Sequence, residues 1–166
     1  MSTDLGRASR ETGGDYDIPR WAVITTFALS LLGLGLSIYL TIEHFQPVFQ
    51  GCVANSVIDC QKVTTSGPSH FLGVPVAFLG LGNYVVMSAL TSPWAWRARE
   101  RWIHVARFIL AIVSMGFVLW LVYAEVEIID AICLYCTGVH VVTFALLLVL
   151  TRVSPEQLGW GRSRAR

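Results

Sequence analysis

Charge is what this chain has least of. Acidic and basic residues make up 14% of its 166 positions, where soluble domains carry about 25%. Four stretches hold none: residues 21–42, 71–90, 108–124 and 131–150. With 54% hydrophobic residues, the chain has more apolar surface than one water-facing core can hide, so lipid is the implied solvent. The formal net charge of +1 excludes the broad positive field of a nucleic-acid binder, and no nucleic acid is expected as a partner. Internal repeats and low-complexity tracts are also missing, which excludes solenoids and arrays.

Each uncharged stretch approaches the ~20 residues a spanning helix needs. Backbone groups in hydrocarbon must be satisfied within the segment, so these are expected to be helices and not strands. The expected fold is an all-α integral membrane protein. It is a four-transmembrane-helix bundle with a long outer loop between the first and second helices. Orientation follows from Lys and Arg. Arg20 precedes the first stretch, Arg97, Arg99, Arg101 and Arg107 fall between the second and third, and Arg152, Arg162, Arg164 and Arg166 follow the fourth. The loops 43–70 and 125–130 hold only Lys62. Both termini are therefore expected in the cytoplasm of a multi-pass inner or plasma membrane protein. Residues 1–20 read as a disordered cytoplasmic tail, too long and too acidic for the start of a signal peptide. Residues 21–150 read as the membrane domain. Residues 151–166 read as a basic cytoplasmic tail that either touches anionic lipid or only sets topology.

That orientation uses no cysteine, yet it puts Cys52, Cys60, Cys133 and Cys136 on one extracytoplasmic, oxidising face. Cys133 and Cys136 form a C-x-x-C at the head of the last stretch. Three residues apart on a helix, they can close a disulfide with little backbone movement. In the first turn they would meet the positive end of the helix dipole, which favours thiolate, while Glu125, Glu127 and Asp130 oppose it. Cys136 is the deeper of the two, suited to a lipid-soluble oxidant. Cys133 is the shallower, suited to the loop cysteines. His140 lies one further turn in, on the face of Cys136, either hydrogen-bonding a ligand or tied to a neighbouring helix. Zinc is the rival use of four cysteines, but the seven-residue gap between Cys52 and Cys60 exceeds the usual two to four. Inert disulfides are a second rival. A bridge closing one helical turn constrains almost no chain, so its stabilising value is small.

The spans carry further expectations. Ser30, Gly33, Gly35 and Ser37 should let the first helix approach its neighbours closely. Trp21, Trp94, Trp96 and Trp102 suit interfacial belts. Pro75 should fall in the first turn of the second helix. Asn83, polar at mid-depth, should face the bundle, serving a helix contact or a ligand. Arg107 should snorkel to the cytoplasmic boundary. The loop after the first helix, about 26 residues long, exceeds ordinary helix connections and suggests function. Within it residues 57–65 can form a short helix containing Cys60, pressed on the bundle through Val57 and Val63.

These features resemble the vitamin K epoxide reductase family in its bacterial form. The resemblance rests on the terminal C-x-x-C, the upstream loop pair, the stretch Cys60-Gln-Lys-Val-Thr-Thr-Ser66 and the stretch Gly73-Val-Pro-Val-Ala-Phe-Leu-Gly80. It covers the membrane region, about residues 21–150. Four-span periplasmic quinone reductases of disulfide formation also use two cysteine pairs, but carry their C-x-x-C in the first outer loop. The resemblance implies a quinone enclosed by the bundle and capped by the loop, with menaquinone or ubiquinone as substrate. It implies that Cys136 faces the quinone, that Cys133 exchanges with Cys60, that Cys52 meets a thioredoxin-like protein, and that Ser66 assists. His140 stands where animal members have a tyrosine, and the asparagine they use falls near Val76 or Ala77. Many bacterial members carry a fused thioredoxin-like domain. The sequence ends at Arg166 without one, so a separate thioredoxin-like (DsbA-like) partner is expected. The reading is a thiol oxidase forming disulfides, with Cys52, Cys60, Cys133, Cys136 and Ser66 in catalysis and Cys136, His140 and Asn83 toward the quinone. The alternatives are a quinone or epoxide reductase supplying hydroquinone, and a non-enzymatic four-span scaffold.

Overall fold

The computed structural model describes residues 19–45, 58–98 and 100–157. Cys52 and Val57, and with them most of both expected tails, lie outside these. The described chain is nearly all helical. Helix α1 is Arg20–Phe45, α2 Cys60–Thr65, α3 Val76–Thr91, α4 Pro93–Arg97, α5 Arg101–Tyr123 and α6 Leu134–Gln157. A two-stranded hairpin, β1 (His70–Phe71) and β2 (Val74–Pro75), precedes α3.

Three segments are long and apolar enough to cross a membrane: Arg20–Phe45, Arg101–Ile129 and Leu134–Val153. The fourth apolar helix, α3, has 16 residues. At 1.5 Å per residue it is about 24 Å long, short of the ~30 Å hydrocarbon core. The expected second span began at Phe71, and the backbone explains the difference. Leu72 and Gly73 take φ of 54° and 81°, the paired positive values of a tight hairpin turn. Pro75 fixes its own φ and biases Val74 to extended geometry. Pro75 therefore stands at the N-cap of α3, ahead of the first turn. At the other end α6 runs on to Gln157, through residues expected in the tail.

Helix α1 packs on α3 and α6, and α5 packs on α6. The buried face of α1 reads Ala22, Thr26, Ser30, Gly33, Ser37 and Leu40, spaced by threes and fours as one seam of a helix. Small side chains bring the neighbours close, as expected. Their hydroxyls are satisfied within the helix: Thr26 donates to Ala22 O (2.7 Å) and Ser30 to Thr26 O (2.8 Å). From α3, Thr91 donates to Ser30 Oγ at 3.0 Å. Gly35 departs from expectation, being exposed with open space around it. Two residues from Gly33, it lies on another face.

Two more expectations change where α3, α4 and α5 meet. Arg107 does not snorkel: it is 1% exposed. Its Nε donates to Leu90 O at 2.8 Å, and its guanidinium lies 3.7 Å from the centre of the Trp96 ring. It thus serves a carbonyl at the end of α3 and stacks on an aromatic face. Trp96 is consequently buried, while Trp21, Trp94 and Trp102 remain exposed as a belt requires.

Candidate functional site

The site lies at the end of the bundle where the hairpin, α2 and the approach to α6 converge. Helix α2 starts at Cys60, not at residue 57, because Asp59 caps it: the Lys62 N–H donates to Asp59 Oδ1 at 2.9 Å. The strand-like residues before it dock on those before α6. Ile58 pairs in parallel with Ile132, and the Asp59 N–H donates to Ile132 O at 3.2 Å. Lys62 Nζ adds a 3.4 Å bond to Asp130 O. These backbone contacts hold the two cysteine segments side by side.

Cys60 and Cys133 consequently share one buried cluster with Leu40, Val63, Ile129 and Ala131, and Cys136 packs against it. The burial of Val63 matches the expectation that this face of α2 presses on the bundle. Cys60 is disulfide-bonded, whereas Cys133 and Cys136 are free thiols. Cys133 precedes α6 and acts as its cap, one position ahead of the expected first turn. Its carbonyl accepts the Thr137 N–H at 2.9 Å and its sulfur accepts the Cys136 N–H at 3.3 Å. Tyr135 packs on Tyr39 with ring centres 4.5 Å apart, and the Thr137 hydroxyl donates to Cys133 O. Both are packing residues, as expected.

The hydrogen bond from the Cys136 thiol holds Cys133 below the ordinary thiol range, and backbone donors of Cys136 and Tyr135 add to it. Burial and the nearby Glu125 act in the opposite sense. A lowered pKa means that the thiolate persists to lower pH. The ultraviolet thiolate signal of Cys133 should therefore appear below the pH of a free cysteine, about 8.5. Cys136→Ala, which removes the thiol donor, should move that signal to higher pH. A signal that does not move would show that the thiol pair is not coupled.

Beneath the thiols lies a cavity of about 480 Å³, walled by α1, α2, α3, α5, α6 and the hairpin. That volume is in the range of sites that bury small ligands. Its lining is mainly apolar, with Leu40, Val113, Phe117 and Val139 among the walls. Cys136 and His140 both line it, one helical turn apart. His140 is buried, and no hydrogen bond to its ring is found among the described residues. The alternative of a histidine tied to a neighbouring helix thus lacks its bond. Asn83 also lines the cavity and faces the bundle, its Oδ1 accepting the Ser114 hydroxyl at 2.8 Å. Val76 and Ala77, near the family's asparagine position, line it too.

The remaining candidates stand elsewhere. Cys133 and Cys60 lie behind the wall and do not line the cavity. Ser66 does not line it either: its hydroxyl donates to Val63 O at 2.8 Å at the end of α2. Thr64 and Ser69 are the loop hydroxyls on the cavity.

One lining residue was expected in a solvent loop. Glu125 is 6% exposed and lies in a π-helical turn, Ala124–Ile129, that prolongs α5. The Asp130 and Ala131 N–H groups both donate to Glu125 O. The Glu125 carboxylate faces the backbone N–H of Cys133. A signal for this existed. Ile103, Arg107, Ala111 and Val118 form the buried stripe of α5, and seven residues beyond Val118 is Glu125.

Spanning-length helices around an apolar cavity, with a pair of free thiols at its end, define an integral membrane protein. The model of the Vitamin K epoxide reductase family matches residues 24–151, and the chain belongs to that family. Its members are oxidoreductases that couple thiols to quinone or epoxide chemistry.

Proposed function

We propose that the protein is a membrane thiol oxidase that forms disulfides outside the cytoplasm and reduces a quinone. The carrying observation is the meeting of Cys60, Cys133 and Cys136 in one buried group of which only Cys136 faces the apolar cavity. Sulfur on both sides of a wall is what a relay between a protein donor and a lipid-soluble acceptor requires. The dithiol of a separate thioredoxin-like partner attacks a Cys52–Cys60 disulfide. Cys60 thiolate then displaces at Cys133, opening the Cys133–Cys136 disulfide, and Cys52, once free of the donor, displaces at Cys60, which restores Cys52–Cys60 and releases Cys133 reduced. Each exchange is a thiolate displacement at sulfur. When Cys133 and Cys136 close again, two electrons and two protons pass to the quinone, which leaves as quinol.

The cavity fits such a substrate. An apolar wall suits a quinone ring and its prenyl tail, and Asn83 and His140 offer polar groups to its oxygens. Menaquinone and ubiquinone both satisfy this chemistry. Arg20, Arg97, Arg101 and Arg152 keep to the loops and ends away from the thiols, which supports a cytoplasmic side there and thiols outside. A scaffold would leave Cys136 no reason to face a cavity.

The test is a trap. In Cys60→Ala, Cys52 loses its resolving sulfur, so a mixed disulfide with the donor should accumulate in cells. Purified wild-type protein with that donor reduced should convert a short-chain quinone to quinol, one per donor disulfide formed. No adduct through Cys52, together with no quinol, would refute the scheme.

A further inference from the structure

We propose that Glu125 is the internal proton carrier of the dithiol–quinone reaction; this rests on the quinone-reducing function proposed above. The chemistry creates the need. Closing the Cys133–Cys136 disulfide breaks two S–H bonds and forms one S–S bond. The sulfurs lose two electrons, and the quinone gains two electrons and two protons. Cys133 is 0% exposed, and the cavity wall beside Cys136 is mainly apolar. Bulk water is poorly placed to take those protons.

Glu125 is placed to do so. It is buried, it lines the same cavity as Cys136, and its carboxylate faces the backbone N–H of Cys133. It lies within electrostatic reach of both sulfurs. The π-helical turn aims it there, a local widening that recurs at functional sites. Glu43 also lies in reach of Cys136, and its buried Oε2 has no hydrogen-bond partner among the described residues. Glu43 does not line the cavity, so it cannot hand a proton to a ligand there.

The carboxylate takes a proton from each thiol in turn as that sulfur becomes thiolate. Each time it passes the proton to a quinone oxygen and returns to its starting state. Protonation from solvent blocks the acceptor, so the rate must fall at low pH. Other titratable groups share this end of the bundle: Cys133, Cys136 and His140 beside α6, Glu43 and His44 on α1, Lys62 on α2, and Glu127 and Asp130 on Glu125's own segment. The pH limb must therefore be assigned by substitution.

The experiment is a single turnover of pre-reduced, purified protein in lipid nanodiscs with a short-chain ubiquinone or menaquinone analogue. Glu125→Gln keeps a carbonyl for the Cys133 N–H but cannot take a proton. It should slow quinol formation by about a hundredfold, abolish the low-pH limb and remove the solvent deuterium effect. Glu125→Asp should recover part of the rate and retain the limb, and it carries the test should the glutamine variant not fold. A glutamine variant with wild-type rate and pH profile would overturn the proposal while leaving quinone reduction intact. A wild-type protein that forms no quinol would instead remove the function on which the proposal stands.

Discussion

Cys136→Ala should yield a folded protein that no longer reduces quinone, with turnover lower by about a thousandfold or more. Among the described residues it is the cysteine that lines the cavity, and Cys133 and Cys60 are buried behind it. Removing it deletes both the sulfur that faces the substrate and the partner with which Cys133 closes a disulfide. The fold should survive. The Cys136 N–H still bonds the Cys133 sulfur, and the loss is one side-chain atom at a half-buried position. Cys133→Ala should fail differently. A sulfur then remains at the cavity and quinone still binds, but nothing closes the bridge, so one encounter cannot become a cycle. Quinol formation and quinone binding, measured separately on both variants, distinguish the two failures. A normal rate in Cys136→Ala would mean that electrons leave by another route.

The second large effect is structural. Gly33→Ala should destabilise the bundle by about 2–4 kcal/mol, summing overpacking and a strained hydrogen bond. A Cβ at Gly33 would fall well inside contact distance of Tyr84 Cε1 and Cζ. The ring cannot easily retreat. Its hydroxyl lies 2.8 Å from Thr143 Oγ1 and donates to Val139 O at 3.2 Å, tying α3 to α6 across the seam of α1. Tyr84 and Thr143 also line the cavity, so quinone affinity should fall with stability. Gly35→Ala is the internal control, since no described residue stands within 4 Å of its added carbon. It should leave the thermal midpoint unchanged or slightly raised, as alanine is the better helix former. In a Tyr84→Leu background the Gly33→Ala penalty should shrink, the signature of a coupled pair. Equal midpoints for the two glycine variants would refute the packing account.

Particular residues show what could be read ahead of the coordinates. The separation of Cys136 from His140 by one turn and the burial of Val63 follow from helical spacing, and both hold, whereas Cys133 stands just ahead of the helix whose first turn it was expected to share. Arg107, Trp96 and Glu125 do not follow from polarity alone. Affinity for water or an interface sends Arg107 to a boundary, Trp96 to a belt and Glu125 to a loop. In the fold the three are turned inward. Arg107 finds Leu90 O and the Trp96 face, and Glu125 finds the Cys133 N–H. Those partners lie on other elements, 17 positions away in the case of Leu90. Ser66 shows the reverse, since its hydroxyl is taken by its own helix and does not reach the cavity.

The amino-acid order alone determined that the chain is membrane-embedded and helical, and that a C-x-x-C stands at the head of its last span. Those properties are local. Transfer to lipid adds up residue by residue, and a helix satisfies its backbone within a few positions. Which faces meet, that Cys60 is buried in one cluster with Cys133, and that a glutamate reaches the thiols were decided only by the tertiary structure. They depend on complementary surfaces from segments far apart in the chain, where a missing Cβ at Gly33 or a widened turn at Ala124–Ile129 sets what can touch.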